Sequence, residues 1–227
     1  TATSEIYTLS LHDALPISSL RPENYRREDL EPGYLFGLQS RLVQPDTSVI
    51  DSMALYFMSL DGKQEYWTIT MTVRNHPDHV AGKPLPTYVE TGARDDRTIR
   101  IIIHAPGEPG KEVLPMMRGG GYVSQVQSFL LPQLLILGGI SNEYAVYAYS
   151  SRDQQIRLRT LRVERPAHNP SLWRVTVSVR PEEPPQISDY TQGGNWLRTV
   201  LADGKIWEPI DLTRLAELWR RKGLPMD

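Results

Sequence analysis

The stretch "MALYFMSLDGKQEYWTITMTVR", Met53 to Arg74, constrains the fold most. Two runs alternate apolar and polar residues on either side of Asp61-Gly62. That dipeptide suits a two-residue type I′ hairpin, whose central residues both take positive φ. The turn then pairs Leu60 with Lys63, Tyr56 with Trp67 and Ala54 with Ile69. One face carries Ala54, Tyr56, Met58, Leu60, Trp67, Ile69, Met71 and Val73. The other face of the second strand carries Tyr66, Thr68, Thr70 and Thr72. A slip of one residue would expose Trp67, so burial specifies the register.

Comparable signals recur. "YLFGLQSRLV" from Tyr34 to Val43 reads as a strand weakened by Gly37. "TYVE" reads as a strand ended by the turn "TGARDD". In "RTIRIIIHA", Ile99, Ile101 and Ile103 share a face. "VSQVQSFLLPQLLILGG" is ambiguous; its length favours a helical turn before Pro132 and a strand over Leu134 to Leu137. A second hairpin region runs from "EYAVYAYSS" through "QIRLRTLRVERP" to "LWRVTVSVR". Its middle strand changes apolar parity, which predicts a β-bulge near Arg159-Thr160. "PEEPP" is a stiff break, and Asp203-Gly204 turns another hairpin. "DGKQEYW" and "DGKIWEP" echo one another, as two Asp-Gly turns would without any duplication. "DLTRLAELWRRKG" is an amphipathic helix, with Asp211 placed to cap it and Leu212, Leu215, Ala216 and Trp219 on one stripe. The expectation is a mostly β protein of nine to twelve strands, an antiparallel β-barrel or curved half-barrel with a C-terminal α-helix.

The first residues stand apart. Thr1 to Ser18 has no basic start and no uninterrupted apolar core, so it makes a poor signal peptide. It also sustains no apolar period. "SEIYTLSLHDALPI" resembles a translated sequencing adapter of the kind found at the ends of metagenomic reading frames. The resemblance implies that residues 1–18 are a non-native leader and that the native, bacterial start is missing. Residues 19–33, charged and with two prolines, read as a linker, and residues 34–227 as a single β-rich domain.

Composition narrows the function classes. A formal net charge of -2 over 227 residues opposes bulk nucleic-acid binding, which needs many Lys and Arg contacts. No apolar run approaches the roughly 18 residues of a membrane span. Cysteine is absent, which removes disulfides, thiol nucleophiles and Cys-based zinc sites but leaves the compartment open, export to the periplasm included. No nucleophile elbow and no P-loop is present. "RGGGYVSQ" from Arg118 is glycine-rich but lacks the Lys-Ser/Thr end of a phosphate loop and reads as a turn. His76, Asp78 and His79 lie close together but match no zinc spacing, so no metal and no cofactor is expected. His104, at the end of a strand, is the first titratable candidate for proton transfer. Arg157, Arg159, Arg162, Arg165, Arg174 and Arg180 form a basic strip that reads as a solvated face.

The outline resembles lipocalin-like barrels and the periplasmic lipoprotein-carrier half-barrels in architecture only. The lipocalin Gly-x-Trp signature is missing, so the resemblance transfers no binding residue. The leading expectation is a non-enzymatic protein binding a small apolar or lipid-like ligand inside the sheet. Tyr56, Met58, Trp67, Ile69, Tyr147 and Tyr149 are the candidate lining, since small barrels hold a ligand where side chains do not fill them. The alternatives are a structural or interaction module with a solid interior, and a hydrolase or isomerase working through His104 or the His76 and His79 loop.

Overall fold

The computed structural model describes residues 3–14, 31–43, 48–75, 82–95, 97–117, 120–180, 182–210 and 212–221. His76, Asp78, His79, Arg118, Asp211 and most of the 19–33 segment lie outside the described residues.

The chain is mostly β, with two antiparallel sheets and a helix near its C-terminus. Seven strands form the first sheet in chain order: β1 (Thr3–Ala14), β2 (Glu31–Val43), β3 (Val49–Ser59), β4 (Glu65–Arg74), β5 (Thr87–Arg94), β6 (Ile99–His104) and β7 (Lys111–Val113). Helix α1 (Gln125–Leu137) follows. Then come β8 (Asn142–Ser150), β9 (Gln155–Glu164), β10 (Leu172–Ser178), β11 (Gln186–Thr191), β12 (Trp196–Val200) and β13 (Ile206–Trp207), and helix α2 (Leu212–Arg221). The second sheet has the order β13-β12-β11-β10-β9-β8. No closing pair joins the ends of either sheet among the described residues, so the sheets are open rather than a closed barrel. Residues 1–131 with 145–159 form one compact unit, and residues 132–144 with 160–227 a second.

In the first unit the central hairpin has the expected register, Tyr56 opposite Trp67 and Ala54 opposite Ile69. The turn differs. Gly62 takes φ +70° but Asp61 does not have positive φ. The Gly62 N–H donates to the Ser59 carbonyl at 2.9 Å and the Ser59 N–H to the Gln64 carbonyl at 3.0 Å, closing a longer loop. The Asp61 carboxylate accepts from the Lys63 N–H at 3.1 Å, which supplies locally what type I′ geometry would have supplied. Asp203 does the same for the Lys205 N–H at 3.1 Å, with Gly204 at φ +80°. Shared turn chemistry thus accounts for the "DGK" echo.

Cross-strand pairing puts successive rows on one inner face. The first row is Tyr34, Met58, Glu65, Arg94 and Ile99. The second is Phe36, Tyr56, Trp67, Gly92 and Ile101, and the third Leu38, Ala54, Ile69, Glu90 and Ile103. Ser40, Ser52, Met71 and Tyr88 make the fourth, and Leu42, Ile50 and Val73 the fifth. Val126, Phe129 and Leu130 of α1, with Tyr149 and Ile156, pack on the first rows. Phe129 stacks on Phe36 with ring centroids 4.3 Å apart and tilts against Tyr56 at 5.5 Å.

Two sequence expectations are corrected here. Strand β5 runs straight through Gly92 instead of ending in a turn after Glu90. The Trp67 ring occupies the space above that glycine, and a Cβ there would come within 2.0 Å of it. Pro132 lies inside α1, and Leu134 to Leu137 are helical rather than a strand. Both helix ends are stopped locally. Ser124 accepts from the Gln127 N–H at 3.0 Å while the Gln127 side chain accepts from the Ser124 N–H at 2.8 Å, a capping box. At the other end Gly139, at φ +65°, donates to the Ile136 carbonyl and Ile140 to the Leu135 carbonyl, the two bonds of a Schellman motif. β9 pairs with β10 from Thr160 to Glu164, and just before that stretch Leu158 is exposed while Arg159 turns inward, its Nη2 donating to the Tyr149 carbonyl at 2.8 Å.

In the second unit Leu161, Val163, Trp173, Val175 and Tyr190 are buried, as is Trp219 of α2. The register shift falls between Asp189 and Tyr190. β11 carries Asp189, 3 % exposed, which accepts from Arg174 Nε and Arg198 Nε, each at 2.9 Å. The expected basic strip dissolves into pairs: Arg157 with Asp153, Arg162 with Glu164, Arg174 with Asp189, Arg180 with Glu183, and Arg165 over the Trp173 ring.

β1 pairs with β2 from Thr3↔Leu42 to Ala14↔Glu31. Ladder bonds come from the main chain, so an edge strand needs no sustained side-chain period. If residues 1–18 are no part of the native sheet, deleting them leaves the melting temperature unchanged. A lower melting temperature on truncation would assign β1 to the native sheet.

Burial pushes the Asp189 carboxyl up, but hydrogen bonds from Arg174 and Arg198 outweigh it and hold its pKa below the ordinary 3.8. The unfolded chain therefore takes up this proton first on acidification. The contribution is whole above the ordinary carboxylate range and is lost as pH falls through the depressed folded value. Asp189→Asn is expected to lower stability at neutral pH and to flatten the acid limb of a denaturation series. An unchanged acid limb would show that Asp189 is not the group responsible.

Candidate functional site

The polar groups of interest lie on the inner face of the first unit, between apolar residues. Period-two alternation puts Glu65, Trp67 and Ile69 of β4 on this face opposite Arg94, Gly92 and Glu90 of β5. Trp67 is fully buried over Gly92, with Glu65 and Arg94 on one side and Glu90 on the other.

Glu65 has no exposed surface. Its carboxylate accepts from Arg94 Nε at 3.1 Å, from the Tyr122 hydroxyl at 3.0 Å and from the backbone N–H of Gln125, the first residue of α1. Arg94 also donates to the Gly62 carbonyl and lies over the Tyr122 ring, 5.1 Å from its centroid. Burial pushes the Glu65 carboxyl above the ordinary range against these donors. The arrangement fastens the positive end of a helix to the sheet through a charged acceptor.

Glu90 also has no exposed surface. It accepts from Trp67 Nε1 at 2.9 Å, from the Ser151 hydroxyl at 2.9 Å and from the Tyr88 hydroxyl at 3.2 Å. Tyr149, 1 % exposed, tilts against Trp67 at 5.2 Å between centroids. Burial first, and then the charge of Glu90, push the Tyr88 hydroxyl up to about 12 and the Tyr149 hydroxyl higher still. In such a set the hydroxyls donate to the carboxylate and hold their protons.

Of the candidate lining residues, Tyr56, Met58, Trp67 and Tyr149 are buried, each within the packed first rows. Ile69 is half-buried in Glu90's row, directly opposite it. Tyr147 is half-buried, and its backbone forms a parallel bridge with Tyr122. His104 is exposed at the end of β6, opposite Val89. The sequence reading missed Glu65, Glu90, Arg94 and Tyr122. The parity of the hairpin was a usable signal, because it puts Glu65 on the same face as Trp67.

No family model matches the chain, and no curated protein matches it in sequence. Among solved structures it is similar to a β-barrel-like protein of a domain of unknown function, DUF1849, from Brucella abortus. The two chains are 13 % identical, with a TM-score of 0.46 over 74 % of this chain and 75 % of the other.

Trp67→Ala is expected to cost about 3–5 kcal/mol, because a cavity opens over Gly92 and Glu90 loses a donor. A loss below about 1 kcal/mol would mean that the indole is not packed there. Glu65→Ala is expected to cost a similar 3–5 kcal/mol, since it strands Arg94 in the interior. Because Glu65 holds its proton to higher pH in the folded chain, its contribution falls as pH rises from the ordinary carboxylate value of 4.5 through the raised one. Glu65→Gln should remove that alkaline-side decline in urea titrations, and a persisting decline would assign it to another group.

Proposed function

We propose that this chain is a non-enzymatic binding protein for an apolar or lipid-like chain. The reading rests on one observation. The inner face stays apolar in Leu38 and Ile69 of its third row, Met71 and Tyr88 of the fourth and Leu42, Ile50 and Val73 of the fifth, yet these residues are only half-buried. Ser40 and Ser52 in the fourth row satisfy one another by a hydrogen bond and need no water. Half-covered apolar rows continuous with a sealed core offer surface that a ligand can take out of water at about 25 cal/mol per Å². The lining therefore shifts along the sheet from Tyr56, Met58, Trp67 and Tyr149 to the far rows, with Ile69 common to both. Met71 with Tyr88 makes an adaptable wall.

The solid-module alternative is favoured by a different observation, the Phe36–Phe129 stack and the closed packing around Trp67. An uncharged, environment-sensitive alkyl probe separates the two. Saturable binding to the native protein is expected, with little dependence on salt. Ile69→Trp should weaken it by filling the third row. Absence of saturable binding would leave the solid module standing. Binding that falls steeply with salt would mean that charge, not the apolar rows, holds the probe.

A further inference from the structure

Three carboxylates are buried among the described residues: Glu65, Glu90 and Asp189. Two of them have guanidinium partners. Arg94 pairs with Glu65, and Arg174 and Arg198 pair with Asp189. Glu90 is as deeply buried as Glu65, but its three donors, Trp67, Tyr88 and Ser151, are all neutral. No Lys or Arg among the described residues forms an ion pair with it. A carboxylate out of water without a counter-charge is costly even when hydrogen-bonded. The same molecule supplies the usual remedy at its other two buried carboxylates.

A second observation points to the same place. The Tyr149 hydroxyl is buried beside Glu90 and Ser151 without a well-formed hydrogen bond to either. Its oxygen and that of Ser151 keep acceptor capacity. Tyr88 connects Glu90 to the half-buried rows: it is half-buried in the fourth row, and its hydroxyl donates to Glu90.

We infer that the ligand carries a primary ammonium head, received by Glu90 with the Tyr149 and Ser151 oxygens, while its alkyl tail lies along the rows of Ile69, Met71 and Val73. An ammonium has three N–H donors and no acceptor, which matches one carboxylate and two hydroxyl oxygens. It also supplies the charge that Glu90 lacks, and charge-assisted bonds to a buried carboxylate are the strong ones. From the third row to the fifth the strand advances about 13 Å, which accommodates an extended alkyl chain. A carboxylate head would meet Glu90 with like charge.

This inference rests on the apolar-chain reading above, and one experiment distinguishes their failures. Dodecylammonium, dodecyltrimethylammonium, an uncharged dodecyl glycoside and dodecanoate are titrated calorimetrically into the native full chain, each below its micelle concentration. Dodecylammonium should bind at least about tenfold tighter than the glycoside, as one or two charge-assisted hydrogen bonds imply. The trimethyl compound, which has no N–H, should fall between them, and dodecanoate should bind weakest. Glu90→Gln keeps the shape and should bring dodecylammonium down to the glycoside's affinity. Equal affinities for all four, or tight dodecanoate binding, would overturn the ammonium head and leave the apolar-chain reading intact. Absence of binding by any of the four would overturn both. The wild-type ranking decides the matter even where Glu90→Gln does not fold.

Discussion

A charged pair taken out of water holds the first unit together. Glu65 sits on a central strand, Arg94 directly across from it on the next, and the carboxylate reaches past both to the first backbone N–H of α1 and the hydroxyl of Tyr122. Arg94 returns the contact to the turn between β3 and β4 through the Gly62 carbonyl. One interaction thus joins two strands, a turn and a helix start. Ion pairs of this kind add little net stability compared with an apolar replacement, but they are directional. An apolar contact would let α1 slide along the inner face; a carboxylate at its N-terminus does not. The position of Val126, Phe129 and Leu130 over the first rows follows from that anchor.

Trp67 and Gly92 translate the anchor into packing. The indole needs the space of an absent side chain, and Gly92 provides it on the neighbouring strand. With the ring seated there, its N–H points to Glu90 and its body separates the two buried carboxylates. Among the described residues, rows near α1 are closed under that helix and the β8–β9 hairpin, and rows beyond Glu90 are half-buried.

The second unit solves a related problem with partners from its neighbouring strands, one half-buried and one exposed. Asp189 is an unfavourable strand residue, yet it lies within β11, clamped by arginines from the strands on both sides. Arg162, Arg165, Arg174 and Arg180, which make the chain look basic in this region, are committed to a carboxylate or a ring. Counting cations along the sequence therefore overstates the charge available to a partner.

Local chemistry was legible in the sequence: the register of the β3–β4 hairpin, the shared face of Ile99, Ile101 and Ile103, the Asp-Gly turns and the antiparallel β class. Each depends on residues within a few positions of one another, or on a period of two that one strand displays by itself. The capping box at Ser124 and Gln127 and the glycine stop at Gly139 were equally local, and they outweigh Pro132 in making α1 a helix. Partnership across distance was not legible. Nothing near Gly92 says that Trp67 will occupy its space, and nothing near "QISDYT" says that two arginines will hold Asp189 in a strand. Nor does any local pattern show that Glu65 receives a helix from 60 residues away while Glu90 receives no cation. A one-dimensional pattern reports which face a side chain takes. Which groups meet on that face, and whether charge there is balanced, is decided only when the strands and α1 come together.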